Sequence, residues 1–183
     1  KYGYQLGIKY YNAFRVSDLL LQLEYNHVRP YVYSHSAPLT NYGHNNQSIG
    51  HQWGGNFKEL IAIARYHKGR YFADAKVTMG TRGLDFDASE NNFNYGGNIY
   101  KDYDENRPFD TDVKVGQGNK TAVFIADFQG GYLVNPATNL KIFGSYIYRS
   151  FDPTKNTVST FSESTNWLTL GLRADVFNWY FDY

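Results

Sequence analysis

Between Ser34 and Asn56 the chain gathers amides, imidazoles and rings more densely than in any other connection: Asn41, Tyr42, His44, Asn45, Asn46, Gln47, His51 and Trp53. Planar amides satisfy the mixed donors and acceptors of sugar hydroxyls, and an aromatic face packs against the apolar side of a sugar ring. The set is a candidate carbohydrate site, with Tyr42 and Trp53 as stacking faces and Asn45, Asn46 and Gln47 as hydrogen-bond partners. The same residue types can instead bond one another and hold a long loop folded. Composition leaves both readings open.

Other chemistry is less well supported. His27, His35, His44 and His51 lie in or near this loop, but a zinc site needs a convergent set with a completed shell, and no compact ligand spacing is present. The acidic run Asp102, Asp104, Glu105, Asp110 and Asp112 offers oxygen ligands for calcium without the twelve-residue EF-hand pattern, and reads equally as a solvated loop. No metal or other cofactor is expected. Cysteine is absent, which removes disulfides, thiolate metal sites and thiol nucleophiles. There is no Gly-x-Ser-x-Gly elbow, His-Glu-x-x-His pair or phosphate loop, so no enzyme is expected. A formal charge of +1 with interspersed signs gives no footprint for nucleic acid.

The elements that must position the loop show a period of two. Tyr2, Tyr4, Leu6, Ile8 and Tyr10 alternate with Gly3, Gln5, Gly7 and Lys9, and Leu19, Leu21, Leu23 and Tyr25 alternate with Gln22, Glu24 and Asn26. Successive strand side chains point to opposite faces, so each run has one apolar and one polar side. Further strands are expected from Phe57 to Tyr66, Tyr71 to Gly80, Ala122 to Tyr132, Leu140 to Arg149 and Leu168 to Asp175. In the Phe57 run, Ile61 and Ile63 lie opposite Leu60 and Ala62, so its two faces differ little.

Mean hydropathy is only -0.56, yet the chain has 18 tyrosines and 13 phenylalanines. Such aromatic wealth fits the two interfacial girdles of a transmembrane barrel, and charge at mid-strand on the wet face fits a polar interior. No run reaches the ~20 apolar residues of a membrane helix. Connections alternate between short (Asn12 to Val16, His67 to Arg70, Asn135 to Asn139) and long (Ser34 to Asn56, Gly83 to Asn119, Asp152 to Thr165), as the periplasmic turns and external loops of an outer-membrane barrel do.

The expected fold class is therefore all-β, an antiparallel transmembrane β-barrel in the outer membrane, with lipid against its apolar face. Seven strands leave two unpaired edges and fall below the roughly eight of the smallest bacterial barrels. Residues 1–183 are thus expected to be the C-terminal part of a larger barrel with upstream strands missing. Rival readings are a complete eight-stranded barrel, a porin-like diffusion channel and a soluble β-sandwich. The aromatic end Phe177, Trp179, Phe181 and Tyr183 suits recognition by the barrel-insertion machinery, although it changes the lipid-facing parity and calls for a bulge near Asp175 or a separate tail.

Three segments carry a family likeness: Arg29 to His35, Leu39 to Gln47 with its Tyr-Gly-His step, and Gly50 to Glu59 with Gly-His and Asn-Phe-Lys-Glu. Together with Asn94 to Tyr100 and Phe177-Asn178-Trp179-Tyr180, the chain resembles the Wzi-like capsule-assembly outer-membrane barrels, nearest to their Bacteroidetes gliding-motility (RemB-type) branch. The resemblance implies a monomeric barrel whose external loops bind surface polysaccharide, as a lectin that retains capsule or serves gliding-related attachment. It places that role on the Ser34 to Asn56 loop.

Overall fold

The computed structural model describes residues 1–174. Its long strands are β1 (Gly3–Tyr11), β2 (Leu19–Val28), β5 (Phe57–Lys68), β6 (Tyr71–Leu84), β7 (Asn119–Asn135), β8 (Leu140–Pro153) and β9 (Glu163–Arg173), with β3 (Gly43–His44) and β4 (Gln47–Ser48) as a small separate hairpin. The long strands make one seven-stranded antiparallel meander in the order β1-β2-β5-β6-β7-β8-β9.

Directly opposed residues of an antiparallel pair share a face, so a row can be followed across the whole sheet. One row reads Tyr10, Leu21, Ala64, Ala75, Phe128, Tyr146, Leu168, and the next Ile8, Leu23, Ala62, Val77, Ala126, Tyr148 and, at its end, the polar Asn166. Between them runs the opposite face: Lys9, Gln22, Ile63, Lys76, Asp127, Ile147, Trp167. The neighbours thus resolve the ambiguous strand, because Ile63 sits between Gln22 and Lys76 on the polar side.

The apolar face is bare. Leu6 is 64% exposed, Ile8 67% and Leu170 81%. Its apolar band also runs obliquely to the rows. The row of Tyr4 and His27 reaches Lys58, Thr81 and Asp152, whereas the row of Tyr71 and Tyr132 reaches Ile142 and Leu172. A level band drawn across tilted strands has this form.

The buried core lies at the long-loop end of the polar face. There Val28, Phe57 and Val123 pack with Trp53, flanked by Val32, Tyr33, Ile125 and Phe151. Several strands extend further toward this end than expected: β6 continues to Leu84, β7 begins at Asn119 instead of Ala122, β8 continues past Arg149 to Pro153, and β9 begins at Glu163 instead of Leu168. Pro153, expected in a connection, closes β8 opposite Thr121, a strand end where a proline's missing donor is tolerated.

The Ser34 to Asn56 connection is partly regular, with a 3-10 turn at Pro38–Thr40 and the β3-β4 hairpin. Asn45 and Asn46 both have positive φ between paired His44 and Gln47. That is the two-residue primed turn asparagine tolerates, and it matches the twist of the flanking strands. Among the described residues β1 and β9 are not paired with each other, so no closed barrel forms. The aromatic end through Tyr183 and the bulge expected near Asp175 lie outside the described residues.

Candidate functional site

Buried asparagines tie the long loops into one layer. Asn56, wholly buried and with φ of 57°, lies within 3.0–3.1 Å, through Nδ2, of the carbonyls of Gly83, Tyr95 and Gln117, while its Oδ1 accepts from Gly116 N–H at 2.7 Å. Gly83 is required here, because a Cβ would overlap the Asn56 amide. Asn94 accepts from Gly96 N–H and donates to the Asp102 carbonyl, and the Tyr31 hydroxyl donates to the Asn94 carbonyl at 2.6 Å. Asn119 holds the last loop by donating to the Lys155 carbonyl and accepting from its N–H. Burial pushes the phenols of Tyr31 and Tyr95 above their ordinary value.

Beneath this layer a polar chain descends the sheet. His51 Nε2 is 2.7 Å from Glu59 Oε1, Asn26 donates to both Glu59 (2.8 Å) and Glu24 (2.9 Å), and Gln5 donates to Glu24 at 2.6 Å. The His51 ring stacks on Phe57 at 4.2 Å, and Trp53 meets Phe57 edge-on at 5.5 Å. Gly80 leaves the space that Trp53 fills. Arg82 lies over the Trp53 ring at 5.6 Å and donates through Nη2 to its carbonyl at 3.1 Å.

Above the layer is a polar cleft of about 740 Å³. The amide-bearing Asn46, Gln47, Gln52 and Asn98 and the aromatic Trp53, Phe86 and Tyr100 line it, with Arg82, Asp85 and Lys101 as its charged groups. Lys101 Nζ binds Asp85 at 2.6 Å, and Asp85 also accepts from Tyr95 N–H. At the rim, Asp87 clasps the last loop by accepting from Val158 N–H, Ser159 N–H and the Ser159 hydroxyl. Those donors hold the Asp87 carboxyl below its ordinary range.

The sequence-derived set divides in this structure. Asn46, Gln47 and Trp53 reach the cleft, although Trp53 is 7% exposed and serves mainly as core. His51 belongs to the Glu59 chain. Asn45 forms the hairpin turn, His44 pairs with Gln47, and Tyr42 is exposed with its ring stacked on Tyr33 at 5.7 Å. Asn41, half-buried, closes the 3-10 turn through its N–H. None of these four lines the cleft.

Sequence reasoning missed Gln52, Arg82, Asp85, Asn98, Tyr100 and Lys101. The Gly-Gly-Asn-Ile-Tyr run was a usable sign, since adjacent glycines mark close backbone approach. In the acidic run, Asp104 turns to Arg107 and Asp112 to Lys114, and among the described residues no three His, Cys, Asp or Glu converge on a metal position. Against family models, curated proteins and solved structures, the chain matches none.

Proposed function

We propose that this sheet is part of an outer-membrane β-barrel wall and that its loop layer fills the outer mouth and binds surface polysaccharide. The observation that carries the binding reading is the cleft, where four amide-bearing residues and three aromatic ones line one space on a hydrogen-bonded floor. The wall reading is supported by the bare apolar face, its oblique band and the charged opposite face. Closure would join the free edges of β1 and β9, directly or through further strands, since hydrocarbon leaves unpaired backbone unsatisfied. The resemblance to Wzi-like capsule and gliding-motility barrels points the same way. A diffusion channel is disfavoured by the loop layer packed over the polar face.

The test uses the full protein in detergent and a glycan panel that includes the native surface polysaccharide. Replacing Asn46, Gln47, Gln52 and Tyr100 together by alanine should weaken glycan binding roughly ten-fold or more while leaving strand content unchanged. Unchanged binding would remove the lectin role. Graded solute conductance in planar bilayers would favour the channel, and purification without detergent would overturn the wall.

A further inference from the structure

The cleft holds a cation that meets the Trp53 carbonyl and ring but, among the described residues, no carboxylate. Arg82, near the loop end of β6, is sunk in the cleft wall with its Nε buried and without an acceptor. The nearby acid cannot serve both cations well, because Asp85 is already taken by Lys101 and by Tyr95 N–H. Ser48 Oγ, also on the cleft wall, is buried with no partner. A guanidinium withdrawn from water without an anion is costly, and its planar fork is best met by a carboxylate or a related oxyanion.

Resting on the saccharide reading of this cleft, we propose that its ligand is an acidic saccharide whose anionic group sits against Arg82. The sugar's hydroxyls meet Asn46, Gln47 and Gln52, and its ring lies toward Tyr100 or Phe86. A uronate carboxylate and a sulfate or phosphate ester share this chemistry, and a neutral glycan leaves the charge of Arg82 uncompensated.

The experiment measures binding of the full protein in detergent to a panel of uronate oligosaccharides, their carboxyl-reduced counterparts and sulfated and phosphorylated analogues. The acidic members should bind roughly ten- to a hundred-fold more tightly than the reduced ones. That preference should shrink as salt is raised, a readout that needs no variant. Arg82→Gln should abolish the preference, so that acidic glycans and their reduced counterparts bind alike, while Arg82→Lys should retain part of it. The best-bound acidic group identifies which of the three chemistries is recognised. Equal binding of acidic and reduced glycans overturns the acidic assignment and leaves the saccharide reading standing. Binding of none overturns both, and equal affinity for free acetate or sulfate shows an anion site that does not read sugar.

Discussion

The apolar face of the sheet, the wall proposed above, and the loop layer invert each other. On the wall large aliphatic side chains lie bare, with Leu170 at 81%, whereas in the loop layer and the strand end that anchors it the fully buried side chains include Asn56, Asn119 and Thr121. The wall carries little specific side-chain bonding and depends on the ladder and on what its surroundings prefer. In the loop layer, short connections among carbonyls, amides and asparagines determine one arrangement, and each buried polar group is costly if left unpaired.

The contrast can be broken from either side. The largest effect is expected in the loop core, where Trp53→Ala removes a ring packed on Phe57 and under Arg82. It should cost about 3–5 kcal/mol of loop-layer stability. Limited proteolysis should then cut the loops while the strand signal in circular dichroism persists; loss of both would mean that wall and layer are not separable.

Arginine at Leu170 should cost roughly 2–4 kcal/mol in folding titrations into lipid, and Thr169→Arg, on the opposite face, much less. Equal costs would reject the lipid-facing assignment of this register. Asn56→Ala should follow at about 1–3 kcal/mol, because it removes the acceptor of the Gly116 N–H and the amide donor shared among the Gly83, Tyr95 and Gln117 carbonyls, of which Tyr95 keeps the Gln117 amide. Hydrogen exchange at Gly116 should rise, and an unchanged rate would show that the asparagine is not the tie.

The smallest effect concerns pH at the rim. Asp87 has a folded value below its ordinary 3.8, so its contribution is present above that value and is lost as pH falls through the lower folded one. Amide exchange at Val158 and Ser159 should therefore accelerate on acidification from about pH 5 to about pH 2. Asp87→Asn should show faster exchange already at neutral pH. Exchange indifferent to both changes would mean the clasp does not hold the loop.

The strands were legible wherever the two faces differ. In β1, β6 and β9 alternation is plain, and the register agrees with it apart from exceptions such as Phe72 and Trp167 on the polar face and Asn166 on the apolar one. It was poorly legible in β5, where Ile61 and Ile63 occupy the polar face; only their neighbours across the ladder reveal which side they are on. The loop residues were legible as types and not as roles. Asn45 and Asn46 looked like sugar ligands side by side, yet positive φ at both puts them in a turn and leaves only Asn46 at the cleft.

The chain's own order determined the period-two strands, their alternating connections and the concentration of amides and rings in one loop, because these are local consequences of side-chain alternation and turn chemistry. Only the tertiary structure decided that Gln52, Arg82, Asn98 and Tyr100 share a cleft, that Trp53 is core, and that His51 answers to Glu59. Those groups come from separate stretches of chain, and what places them together is the antiparallel register and the desolvated asparagines that bind the loops across it, neither of which a local pattern encodes.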